Sequence, residues 1–377
     1  MPRPGWPKFV LSIALLPALA SLSPAQDNSN WTSSSDRKDP NGNLNPTRTR
    51  ESHTESNGRS INRKTVETLG PDGRYVPYLD TETETVRVDA NTTRTIERSF
   101  GRGPDGQRTL TQQTQQESRT SPGGETNTER TVSNPDLNGG LRVVQRETQR
   151  SRQINPDTQE TKTTILTPDG NGGLSPSVQI DERQKKNSDG TIDFKKSTSP
   201  AAGEGRWQVG EVREGTRRQD SAPGAGPQSV EERVLRPDSE GNLAVTERTV
   251  TRQTQNAPGD QRETRETYST VVPGVAGNNG LKLVQRETTV SRSSAGGDRT
   301  TTRQVEKPTP GSPSEGMRVT DQAIDIVRPG AGGVAQEQHT VYTMGPDGGR
   351  NQVWVDVGKT DNPAVVKVDT AAPAKPK

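Results

Sequence analysis

The chain has 377 residues, of which 24% are hydrophobic, 3% aromatic and 26% charged. It contains no cysteine, which excludes disulfide scaffolds, cysteine-ligated zinc or iron–sulfur centres and thiol nucleophiles. A conventional enzyme domain of this length is nearly half apolar, so the composition points away from one.

Residues 1–25 read as a cleavable secretory signal. Arg3 and Lys8 form a short basic region, Phe9 to Leu22 is an apolar run, and Ser23-Pro24-Ala25 places small residues at the cleavage site. The run is shorter than the ~20 residues that span a bilayer, so cleavage is expected rather than anchoring. No later stretch is apolar enough to be read as a membrane span of the mature chain. Arg3 and Lys8 are the only ionisable residues lost with this segment. Of the 50 Lys and Arg, 48 then remain against 48 Asp and Glu. A balanced chain has no long-range field to steer polyanions, so nucleic acid is not an expected partner.

Residues 26–62 are rich in Ser, Asn, Asp and Arg without alternation and read as a flexible polar arm. Asp39, Asn41, Asn43 and Asn45 alternate as calcium ligands do. However, Leu44 stands where a calcium loop needs glycine, and Arg50 where it needs glutamate. A polar loop is the better reading, and neither metal nor cofactor is expected.

Residues 63–369 read as a tandem array. One series of Pro/Asp/Gly turns begins at Pro71, Pro104, Pro135, Pro168, Ala201, Pro237, Pro273, Pro310 and Pro346, and a second series falls between. Turn signals at regular spacing mark a repeat protein. GGLRVVQRETQRSR at 139–152 recurs as NGLKLVQRETTVSR at 279–292, which implies duplication of a two-strand unit. The segments between turns hold most of the 46 threonines, together with Val, Arg, Glu and Gln. Thr is β-branched and tolerates water, which suits a strand with both faces wet. Asp-Gly pairs such as 72–73 and 189–190 suit tight hairpins.

The expected fold is therefore all-β. Tandem β-hairpin repeats, about eight units of ~34 residues, form an extended antiparallel meander or a single-layer or curled sheet with flexible polar ends. Apolar residues gather beside the first turn series, as at Ile165, Leu166 and Leu174. They read as a narrow core or a contact surface. Residues 370–377 read as an extended Pro/Ala/Lys tail.

Catalytic machinery is not legible. The two histidines, His53 and His339, stand far apart and read as surface residues. Three arginines, Arg146, Arg248 and Arg286, occupy equivalent places in the repeat, five residues beyond its first Leu. They would either engage an anionic glycan or cell-wall polymer, or pair with carboxylates across strands. Trp207 and Trp354 would stack on sugar or anchor packing. Val353, Val355 and Val357 alternate on a C-terminal edge strand that has few charges and no proline. Self-association through that edge is a further expectation, with cover by Val365, Val366 and Val368 as the internal alternative. The reading is an exported, non-catalytic structural repeat protein (spacer, matrix component or adhesin) placed extracellularly, at the cell surface or in the periplasm. A polysaccharide or cell-wall binding module is the alternative.

Overall fold

The computed structural model describes residues 28–38, 44–70, 72–103, 106–203, 205–218, 229–257, 259–271, 280–309, 316–329, 335–345 and 348–360. The expected signal at 1–25, the tail at 370–377 and the Val365–Val368 strand lie outside them.

Twenty strands follow one another in chain order, and no helix lies among the described residues. They are β1 (Asn28–Lys38), β2 (Leu44–Ser56), β3 (Arg59–Leu69), β4 (Tyr75–Arg87), β5 (Thr92–Arg102), β6 (Arg108–Thr120) and β7 (Thr126–Pro135). Next come β8 (Leu141–Asn155), β9 (Thr158–Pro168), β10 (Leu174–Lys186), β11 (Thr191–Pro200), β12 (Glu211–Arg218), β13 (Ser229–Pro237) and β14 (Leu243–Ala257). The series ends with β15 (Asp260–Ser269), β16 (Lys282–Ser293), β17 (Arg299–Pro308), β18 (Met317–Pro329), β19 (Ala335–Met344) and β20 (Arg350–Thr360). Each strand pairs antiparallel with the next, so the sheet is the all-β hairpin meander that the turn spacing predicts.

Strand β1 also pairs with β20, from Thr32↔Lys359 to Arg37↔Trp354. Every strand thus has a ladder on both sides, and the sheet curls until its first strand lies beside its last. This corrects two expectations. Segment 26–62 is not an arm: it supplies β1, β2 and the first residues of β3. The C-terminal strand is not a free edge either, because β1 covers it. Ladder bonds need only backbone, so Ser-rich β1 pairs despite its missing alternation.

Many of the hairpins close on the same turn. In 70–74, 103–107, 136–140, 238–242 and 345–349 the first residue's N–H donates to the carbonyl of the fifth at 2.7–2.9 Å, and the fourth residue's N–H donates to the carbonyl of the first. The fourth residue is glycine each time, with φ of 75–86°. Only glycine takes that conformation without strain, which explains the recurrent Asp-Gly and Asn-Gly. In 136–140, 238–242 and the related turn 169–173 an aspartate tightens the loop: Asp136, Asp169 and Asp238 each accept two backbone N–H groups on Oδ1.

A second device recurs one hairpin in two. The register shifts opposite Tyr78, Thr111, Val144 and Ser177, each 33 residues after the last, and again opposite Thr246, Val284, Thr320 and Val353. Each shift is a β-bulge that leaves one extra residue on the even strand. Bulges bend a strand and deepen its twist, which is what a curling sheet requires. Where the extra residue is Ser or Thr, its hydroxyl donates across to the opposing carbonyl: Thr111 to Ser99 and Ser177 to Ile165 at 3.0 Å, Thr246 to Val234 at 3.2 Å, and Thr320 to Val305 at 3.3 Å.

The apolar margin does not form a core. Among the described residues only Val212, Val234 and Val250 are buried apolar side chains, whereas Leu69, Val76, Leu141 and Leu243 at the margin are all more than 40% exposed. Twenty strands at ~4.8 Å spacing give a circumference near 100 Å, so opposite walls of the curl stand roughly 30 Å apart. Side chains do not meet across that gap, and burial comes only from neighbours on the same face.

Candidate interaction surface

Pairing registers carry each side chain's face from strand to strand around the whole sheet, and the two faces differ in chemistry. One is a lattice of arginine and carboxylate. Along it Arg48 opposes Glu67 and Arg50 reaches the same carboxylate from the diagonal position, Arg63 opposes Glu82, Arg94 opposes Glu117, and Arg286 lies between Glu266 and Glu306. The other face is dominated by hydroxyls. Thr85–Thr95, Ser118–Thr128, Ser151–Thr161 and Ser291–Thr301 are hydrogen-bonded cross-strand pairs at 2.9–3.1 Å, all at equivalent places beside the second turn series. Ion pairs interrupt this hydroxyl face at Arg213–Glu211 and Arg303–Glu287, both at 2.6 Å.

The charged face also supplies most of the burial. Glu67 is 1% exposed, Asp80 8% and Glu266 9%. Long arginines lying flat over a carboxylate exclude water as a second layer would. Arg48 Nε reaches Glu67 at 2.5 Å, Arg50 bonds its other oxygen, and the Arg48 guanidinium stacks 4.5 Å from the Tyr75 ring. Burial pushes the Glu67 carboxyl up, but hydrogen bonds from Arg48 and Arg50 outweigh it and hold the pKa below the ordinary glutamate value. At Glu266, burial is likewise outweighed by hydrogen bonds from Arg286, Arg252 and Tyr268.

Arg146, Arg248 and Arg286 do lie in equivalent positions. Each stands two residues beyond a bulge, on the charged face. Each also meets a carboxylate: Arg146 Nε is 3.4 Å from Glu129, Arg248 2.7 Å from Glu231, and Arg286 3.1 Å from Glu266 and 3.4 Å from Glu306. Trp207 is half-buried in the connection after β11, where it bridges to Ala201. Trp354 lies in β20 between Val341 and Arg37, far along the sheet from Trp207. Val355 and Val357 share one face of β20, whereas Val353 is the extra residue of a bulge and leaves their alternation. Neither histidine joins a cluster: His53 pairs with Asn62 in the ladder, and His339 hydrogen-bonds Asp325. Among the described residues no group of three His, Asp or Glu is placed to hold a metal ion.

The sequence did not reveal the aromatic positions. Phe100, Tyr268 and Tyr342 each sit where the register shifts opposite a bulge, on the charged face. Arg108 stacks 3.5 Å from Phe100, and Arg350 lies 5.8 Å from Tyr342. Insertions in the second half of the chain hide this spacing from a one-dimensional search.

No protein-family description and no curated protein matches the chain. Among solved structures, Pseudomonas aeruginosa OpdL is similar with a TM-score of 0.42 and 8% identity, over 89% of this chain and 98% of that one. A bacterial polysaccharide outer membrane secretin gives a TM-score of 0.30 and 9% identity, over 88% and 97%. The β domain of the Bordetella autotransporter BrkA gives 0.15 and 8%, over 88% and 98%.

Proposed function

We propose that the chain is an exported structural repeat protein of the cell surface, a spacer or matrix component rather than a catalyst. One observation carries this reading: the charged side chains are spent on one another. Glu67, Glu211, Glu231 and Glu266 each hold two arginines, and these bonds run across strands or, for Arg213–Glu211 and Arg233–Glu231, along one strand, rather than converging on a cleft. Such a lattice stiffens a single-layer sheet, and long repeated ladders make an extended element from little apolar material.

The reading places the sheet in water. Along β6 one face presents Leu110, Gln113, Gln115 and Glu117, and the other Gln112, Thr114, Gln116 and Ser118. A membrane barrel needs an apolar residue at every second position, and a charge at the bilayer midplane costs about 2–4 kcal/mol. Fractionation of cells expressing the full chain tests the proposal. The expected result is a protein lacking residues 1–25, recovered on the envelope or outside the cell. Recovery in the cytoplasm with its N-terminus intact would overturn it.

Binding of an anionic polysaccharide is a second reading. The repeated row of Arg146, Arg248 and Arg286 favours it, since each guanidinium keeps 37–45% exposure despite its pairing. Glycan-array binding that disappears when all three become glutamine would support it, and a blank array would remove it.

A further inference from the structure

The exposed apolar side chains are not scattered. Val76 and Tyr78 flank the turn after β3, Leu137 and Leu141 the turn after β7, Leu243 that after β13, and Val271 that after β15. In an up-and-down meander these connections all lie at one end of the curl, so the residues form a discontinuous apolar rim. Leu137 is fully exposed at 106%, Val271 is 76% exposed, and the other four are 44–49% exposed. At the opposite end, among the described residues, only Val88 and Ile154 are comparably bare.

We propose that this rim is an interface with a second copy of the chain, meeting rim to rim about a two-fold axis. Two arguments select that occupant. The first is area: the six side chains alone expose on the order of 700 Å², close to the ~800 Å² per partner of a standard stable interface. The second is charge. Between the apolar residues stand exposed Asp136, Asp169 and Asp238 alongside exposed Arg74 and Arg142. A rim with both signs complements itself across a two-fold axis, where an aspartate of one copy meets an arginine of the other. A lipid surface offers those aspartates no partner and leaves them to be desolvated. The β1–β20 pairing leaves this end, rather than a strand edge, as the face open to self-association.

The test is sedimentation of the mature chain, residues 26–377, at rising concentration, with circular dichroism to confirm folding. A dimer is expected. The double variant Leu137→Glu/Val271→Glu should weaken it at least about tenfold in Kd. Both positions are exposed in connections, so the sheet should keep its spectrum. Val88→Glu/Ile154→Glu at the other end should leave the dimer unchanged. A monomer at high micromolar concentration overturns the proposal, as does a dimer sensitive only to the Val88/Ile154 pair. Co-sedimentation of monomer with phosphatidylcholine vesicles, abolished by Leu137→Glu/Val271→Glu, would reassign the rim to a lipid surface and also overturn it.

Discussion

Glu67 shows how this protein buries a charge without a core. Its carboxylate is 1% exposed and satisfied by two arginines of the neighbouring strand. Glu67→Gln keeps the size but loses the charge-assisted bonds. The arginines remain partly exposed and can rehydrate, so the cost should be about 1–3 kcal/mol, read as a lower chemical-denaturation midpoint. The same chemistry sets the pH response. Glu67, Glu211, Glu231 and Glu266 all titrate below the ordinary 4.5 in the folded chain. Above that value both states are ionised and the contribution is complete. As pH falls below it, the unfolded chain takes up protons first and stability declines until the folded carboxyls titrate. The denaturation midpoint should therefore hold from pH 7 to about 5 and drop towards pH 3; a flat profile through pH 3 would show that the lattice contributes nothing.

At the scale of the element, bulges and close approaches decide which hairpins survive. Thr246 is the extra residue of the β13–β14 bulge, and its hydroxyl donates to Val234 at 3.2 Å. Thr246→Val removes that bond and the one its hydroxyl accepts from Arg236 at 3.0 Å, and should cost about 1–2 kcal/mol. Deleting Thr246 should do more, because it straightens the bulge that bends β14, even though Val245 and Glu247 keep Leu235 and Val234 as their partners. Protease cleavage within 229–257 of the deletion variant, absent from Thr246→Val, would separate the two effects. Gly215 marks a different constraint. A Cβ there would meet the Glu231 carbonyl at 2.1 Å, where β12 and β13 pair over only four residues. Gly215→Ala should force these strands apart at a cost of about 1–3 kcal/mol, with hydrogen exchange rising first in β12 and β13. Unchanged exchange there would mean that the two backbones can separate freely.

For the whole molecule, continuity of the ladder matters most. Removing residues 26–38 would strip β20 and β2 of a shared neighbour and expose two edges. Open edges pair with other chains, so light scattering should report large assemblies in place of a defined species. Val355→Pro in that background should reduce them by breaking the β20 template. A truncated chain that stays as small as the parent would show that β1 is dispensable.

Much of this architecture could be read from the chain alone. Threonine-rich segments between breakers fixed the strands, and Asp-Gly and Asn-Gly pairs fixed the turns, because both depend on local backbone preference. The equivalence of Arg146, Arg248 and Arg286 was legible for the same reason: a repeat preserves its own spacing. Three things depended on contacts distant in sequence. Ser-rich 28–38 has no strand pattern, and it is the ladders to β2 and to the distant β20 that order it. Bulges at Thr111 and Thr246 leave no composition signal, since they exist only relative to the opposing strand. The margin of Leu and Val looks like a core in one dimension. It became an exposed rim because a curl of twenty strands is too wide for its walls to touch. Local preference makes the hairpins; the number of strands and the meeting of β1 with β20 decide which side chains are left to face another molecule.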